Sequence, residues 1–169
     1  MEIKTIIDFS RTEPQTQWKI VNDGVMGGHS TSSMTLMDNN AALFSGVLSL
    51  ENSGGFASTR AMVIDLDLKG YSGIRIRVMG DGRCYQLRLR TDSDYDGVAF
   101  RHSFQTADGE WMDIVLPFIE FEASFRGQPL PQFGPLAPEE IQQVGLLIAD
   151  KRSGPFRLII DSIVAYREV

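Results

Sequence analysis

Cysteine is nearly missing from this chain of 169 residues. Cys84 stands alone, so neither an intramolecular disulfide nor a cysteine-based zinc site can form. Histidine is as scarce: His29 and His102 are the only two, and neither has a second histidine at metal-ligand spacing. Helical periodicity is almost absent, and no apolar run approaches the length of a membrane span. Positive charge is outweighed, with 16 Lys and Arg against 22 Asp and Glu, a formal net charge of −6. That balance argues against general affinity for nucleic acid or for an anionic membrane. Residues 1–8 lack the basic and long apolar regions of an export signal, which leads to the expectation of a cytoplasmic protein without direct membrane insertion. Serine and threonine are plentiful, but no nucleophile elbow sets a serine beside a histidine and an acid, so no enzyme is expected.

What the chain does have is alternation. Apolar and polar residues alternate over 33–37 and 42–50, on either side of Asp38-Asn39-Asn40, a good hairpin turn. The same period recurs over 56–64, 74–78, 85–90, 98–104, 111–116, 144–149 and 156–166. Met79-Gly80-Asp81-Gly82-Arg83 reads as a hairpin connection between two of these segments. Only Pro138-Glu139-Glu140-Ile141 resembles a helix start, with proline in the first turn and acids near the positive end of the dipole. Many short strands without intervening helices point to an all-β sandwich or barrel, and the length suits a single domain over residues 1–169. The stretch 118–138, with Pro129, Pro131 and Pro135, is expected to be an irregular connection whose Phe118, Phe121, Phe125 and Phe133 seal one end of the sandwich.

The segment from Trp18 to Ser30 crowds Gly24, Gly27, Gly28, Asn22 and Asp23 between a tryptophan and a Ser/Thr-rich strand start. It is a specific tight loop and not a phosphate loop, because neither a Lys-Ser/Thr pair nor a helical period follows Gly28. This segment resembles the entry motif of the complex I intermediate-associated protein 30 family. Further pieces agree in order: Phe44-Ser45-Gly46, Gly54-Gly55-Phe56-Ala57-Ser58, Gly80-Asp81-Gly82, then 85–91, Trp111, Leu116-Pro117-Phe118, Arg126-Gly127, 145–151 and 156–163. The resemblance implies a jelly-roll β-sandwich of the galactose-binding-like type. It also implies a non-catalytic role like that of the mitochondrial member, which assists assembly of respiratory NADH:ubiquinone oxidoreductase.

Alternation sorts the charged side chains by face. Ile74, Ile76 and Val78 turn one way and Arg75 and Arg77 the other; Tyr85, Leu87 and Leu89 oppose Gln86, Arg88 and Arg90. Extended to the next strands, the rule gathers Arg75, Arg77, Gln86, Arg88, Arg90, Arg101, Trp111 and Asp113 on one outward surface. Such a surface suits a protein partner bearing carboxylates or phosphates, including respiratory-complex subunits or assembly factors. A carbohydrate is the alternative ligand, with Trp111, Tyr95, Gln86 and the arginines on its hydroxyls. The plainer reading is a solvated face neutralised by Asp65, Asp67, Asp113 or Asp161. Asp92, Asp94 and Asp96 open a D-x-D-x-D-G pattern that could hold a structural calcium ion, although Ser103 stands where an EF-hand has its glutamate. No other cofactor is suggested. His102 falls on the apolar side of its strand and reads as a core histidine, and Cys84 as a small buried hydrophobe and not a reactive thiolate.

Overall fold

The computed structural model describes residues 1–7, 9, 18–63, 66–94 and 97–168. Thirteen strands follow one another: β1 (Glu2–Ile7), β2 (Trp18–Ile20), β3 (Thr31–Leu36), β4 (Ala42–Leu48), β5 (Ala57–Met62), β6 (Gly73–Met79), β7 (Cys84–Arg90), β8 (Ala99–Gln105), β9 (Trp111–Pro117), β10 (Glu122–Phe125), β11 (Gln128–Pro129), β12 (Gln143–Ile148) and β13 (Gly154–Arg167). They form two antiparallel sheets. One has six strands in the order β3-β4-β13-β6-β9, with β1 also paired to β13; the other has seven in the order β11-β10-β8-β7-β12-β5-β2. The result is a jelly-roll sandwich of the galactose-binding-like type, as the alternation and the resemblance led one to expect.

The core lies between the sheets and is built by the period-two rule. Ile74, Ile76 and Val78 of β6 meet Tyr85, Leu87 and Leu89 of β7, all at most 1% exposed. Phe44, Leu158 and Phe156 complete the layer from β4 and β13, with Phe156 edge-on to both Phe44 and Tyr85. The hairpin about Asp38-Asn39-Asn40 forms as read, pairing β3 with β4 from Thr31↔Val47 to Leu36↔Ala42. Asn40 takes the left-handed conformation there, at φ 63°. Pro138–Glu140 makes a single 3-10 turn.

Three expectations need correction. The first concerns residues 79–83, which do not close a hairpin. β6 pairs with β13 and β9, whereas β7 pairs with β8 and β12, so this segment crosses from one sheet to the other. Buried polar contacts fasten the crossing. Arg83 holds Asp150 through Nη2–Oδ1 at 2.6 Å and Nε–Oδ2 at 2.9 Å, and donates to the carbonyls of Arg152, Gly154 and Pro155. Asp81 accepts the Tyr85 hydroxyl at 3.0 Å and the Arg157 N–H at 2.7 Å. Second, the stretch 118–138 is not wholly irregular. β10 and β11 form a small hairpin at the edge of the seven-stranded sheet, turned by Arg126 and Gly127 at φ 50° and 80°. Third, of the four phenylalanines only Phe118 and Phe121 are buried; Phe125 and Phe133 are exposed, Phe133 lying edge-on to Phe100.

Candidate functional site

The sheet crossing at 79–83 divides the expected arginine surface in two. Arg75, Arg77, Trp111 and Asp113 stand on β6 and β9, on the outer face of the six-stranded sheet. Gln86, Arg88, Arg90 and Arg101 stand on β7 and β8, on the outer face of the other sheet. The residues were assigned to the right side of each strand, but two strands adjacent in sequence lie in opposite layers.

The two halves differ in chemistry. On the six-stranded sheet Arg77 Nη1 meets Asp113 Oδ2 at 3.0 Å and its guanidinium lies 5.1 Å from the Trp111 ring centre. Arg75 rests on the Met1 sulfur at 3.4 Å. The Arg77–Asp113 pair fits the plain reading of a solvated, salt-bridged face, while Arg75 meets a thioether and not a carboxylate; Asp65, a second proposed counter-charge, lies outside the described residues.

The seven-stranded sheet instead carries a groove of about 730 Å³ across its outer face. Its central strand gives the cause. On β12 the core side is Val144, Leu146 and Ile148, yet Gln143 and Leu147, on the opposite side, are only 4% and 7% exposed. That face is therefore recessed rather than open. Register aligns the lining in rungs. Ser58, Leu147, Gln86 and Ser103 stand side by side, and next to them Arg60, Gly145, Arg88 and Arg101. Arg126 and Lys151 complete the basic lining, and Val21, Phe56 and Ala149 the apolar part. Arg101 is paired with Glu122, Nη2 to Oε1 at 2.9 Å, and Arg90 donates to the Gly97 carbonyl at 2.8 Å.

Arg88 is different. Its Nε is buried without a hydrogen-bond acceptor, and the neighbouring Gln86 Oε1 is buried without a donor. No carboxylate among the described residues pairs with it. Burial, joined by the charges of Arg90, Arg101 and Arg60, brings its guanidinium down to about 10. Cations withdrawn from water are ordinarily paired, so a half-buried guanidinium lining a groove without a carboxylate partner has the chemistry to take an anionic group.

Comparison with known proteins identifies the chain at this point. Residues 7–160 match the family described as Complex I intermediate-associated protein 30. The chain belongs to that family. Among relatives named "Complex I intermediate-associated protein 30, mitochondrial", the mouse protein is 25% identical over 187 aligned positions, covering 99% of this chain and 57% of its own length. The Drosophila melanogaster protein is 25% identical over 184 positions, covering 96% of this chain and 62% of its own. The chain thus spans less than two thirds of either relative. Their names overturn the cytoplasmic expectation, since these members of the family are mitochondrial. Among solved structures, the family 11 carbohydrate-binding module of Clostridium thermocellum cellulase Lic26A-Cel5E superposes with a TM-score of 0.73 at 18% identity, over 99% of this chain and 95% of its own. A second structure of that module, in complex with a mixed-linked tetrasaccharide, gives 0.71 over 99% and 96%. At such identity the likeness is one of fold.

The family's entry motif takes a definite place in this member. Asn22 Oδ1 accepts from Ser32 Oγ at 2.7 Å and from the Ser58 N–H at 3.3 Å, joining β3 of one sheet to β5 of the other. Asp23 is fully buried and accepts from the Ser30 N–H and hydroxyl and from the N–H groups of Gly55 and Phe56. The motif closes the seam at one end of the groove, and its Val21 lines that groove. Of the calcium pattern, Asp96 lies outside the described residues, Asp92 Oδ1 accepts the Asp94 N–H at 3.1 Å, and no three acidic, histidine or cysteine side chains converge among the described residues. His102 is only half-buried, its ring edge-on to Phe121 and its Nε2 3.6 Å from Glu120. Cys84 is half-buried too, its thiol pushed up by burial and by Asp150, away from a reactive thiolate. Sequence reasoning missed Arg60, Gly145, Gln143 and Lys151. Alternation along β5 and β12 carries the signal for the first three, because it puts Ser58 with Arg60 and Gln143 with Gly145.

Proposed function

We propose that this chain is a non-catalytic binding domain that grips a protein partner during assembly of respiratory complex I, with the groove of the seven-stranded sheet as its grip. Family membership and the names of the mouse and fly relatives support the assembly setting, and their mitochondrial naming supports a mitochondrial one. The observation that carries the choice of surface is Arg88, half-buried in the groove with its Nε out of reach of any hydrogen-bond acceptor and no carboxylate paired with it among the described residues. Affinity purification of the full chain from its native cell in mild detergent, followed by mass spectrometry, tests both parts. Complex I subunits or assembly factors are expected to enrich with the wild-type chain and to fall away with Arg88→Gln. Absence of such subunits defeats the assembly setting, and undiminished capture by the variant defeats the choice of groove.

Carbohydrate binding is the second reading, favoured by the fold shared with the cellulase module. The lining counts against it. Among the described residues Phe56 is the sole aromatic in the groove, and Trp111 lies on the other sheet. Sugar rings are commonly held on such aromatic faces. A glycan array that includes mixed-linked glucans is expected to stay silent.

A further inference from the structure

The groove also carries information about what its occupant is made of. Four neighbouring strands, β5, β12, β7 and β8, place Arg60, Gly145, Arg88 and Arg101 in one rung. At about 4.8 Å between strands the rung spans roughly 14 Å, the length of about four residues of extended chain. Gly145 has no side chain between two arginines, and a Cβ there would lie 2.9 Å from the Thr59 carbonyl and 3.3 Å from the Arg60 Cβ. The absent side chain lets β5 lie close against β12 at this rung, with Arg60 and Arg88 on either side of Gly145. On the same rung the Arg88 Nε is buried with no hydrogen-bond acceptor.

The lining is also two-sided. Arg60, Arg88, Arg90, Arg101 and Arg126 gather their charges in the groove, while Val21, Phe56, Leu147 and Ala149 offer apolar contact. One small ion would fill a fraction of the 730 Å³ and leave the apolar lining uncovered. No α-helix occurs among the described residues, so no helix N-terminus is available to cradle a phosphate. An extended peptide that carries both carboxylates and apolar side chains matches the length, the charge and the apolar lining together.

We infer that the groove holds an extended acidic segment of a partner polypeptide, with one carboxylate seated on the Arg88 guanidinium. This rests on the partner-gripping role proposed above and names the chemistry of the grip. Arg88 supplies the Nη groups of its planar guanidinium, a geometry that matches a carboxylate. Without a ligand the positive charges of Arg90, Arg101 and Arg60 oppose that of Arg88.

Two measurements on the full chain test it. In fluorescence anisotropy, the probe is a labelled eight-residue peptide alternating glutamate with leucine, and the control has glutamine for each glutamate. The acidic probe is expected to bind at least about tenfold tighter than the control, and Arg88→Gln to erase the difference. Equal binding of both peptides, or a preference that survives Arg88→Gln, overturns the inference. So does saturable binding of inorganic phosphate or of a mixed-linked glucan tetrasaccharide where the acidic peptide fails. In thermal unfolding without ligand, Arg88→Met is expected to raise Tm by about 3 °C, because it removes a half-buried charge opposed by Arg90, Arg101 and Arg60 and keeps the apolar stem. A clear fall in Tm would assign Arg88 a structural role instead. The outcomes separate the two levels: acidic-peptide preference without complex I capture leaves this inference standing and defeats the assembly setting, and capture without acidic preference does the reverse.

Discussion

At Asp23 a single carboxylate ties the loop before β3 to the segment that leads into β5. It accepts four hydrogen bonds, the closest from the Ser30 hydroxyl at 2.6 Å and the Gly55 N–H at 2.7 Å, and it is fully buried. Burial alone would push this carboxyl up; the hydroxyl and N–H donors outweigh burial and bring it below the ordinary value. The glycines of the motif follow from this contact. A Cβ on Gly28 would sit 2.4 Å from the Asp23 Cγ, and one on Gly54 would sit 2.6 Å from its Oδ2. Asp23→Asn is expected to cost about 3 kcal/mol, since an amide turns a donor toward donors, and Gly28→Ala about 2 kcal/mol; chemical denaturation at pH 7 measures both. The pH dependence has a fixed sign. A folded-state pKa below the unfolded one gives stability that is present above the ordinary carboxyl range and is lost as pH falls through the folded value. The wild type should therefore lose stability more steeply than Asp23→Asn between about pH 4 and pH 2. Parallel acid-unfolding curves would contradict the role given to this carboxylate.

Elements were more legible than their partners. Period-two alternation located most of the strands and assigned Arg75, Arg77, Gln86, Arg88, Arg90 and Arg101 to the outer sides of theirs, because inside and outside are local properties of a pleated strand. Which strand lies beside which is not local. The Gly-Asp-Gly of residues 80–82 suits a hairpin and a sheet-to-sheet crossing equally, and what decides between them is distant: Asp150 for Arg83, and the Arg157 N–H for Asp81. The candidate site was accordingly half visible. Gln86, Arg88, Arg90 and Arg101 belong to the groove, whereas Arg75, Arg77, Trp111 and Asp113 belong to the other sheet, and Arg60 reaches the groove only through pairing across β12. The crossing makes its own prediction. Arg83 and Asp150 have side chains 7% and 8% exposed, and Asp150→Ala would leave a buried guanidinium with carbonyls alone. A loss of about 3–5 kcal/mol is expected by denaturant titration, and the double variant Arg83→Met with Asp150→Ala should recover part of it. A double variant no better than the single one would show that the clamp is not a charge pair.

The whole molecule sets two unlike faces back to back. On one, Arg77 is held by Asp113 and lies over Trp111; the other gathers basic side chains in a recess, on a chain whose net charge is −6. For an acidic partner that arrangement is selective. The body of the molecule repels it and only the groove attracts it, so approach from the wrong side is disfavoured before any contact forms. The attraction at a distance is screened by salt, with a Debye length of about 10 Å at 0.1 M and 3 Å at 1 M, but the bond to a half-buried Arg88 is screened much less. Salt should therefore act on association far more than on dissociation. In surface plasmon resonance with the acidic probe peptide, raising the salt from 0.1 to 0.5 M is expected to cut the association rate about tenfold while changing the dissociation rate less than about threefold. Arg77→Gln, on the opposite sheet, should leave both rates as they are. Association that ignores salt, or that responds to Arg77 as strongly as to Arg88, would mean that the recess is not where the partner is caught.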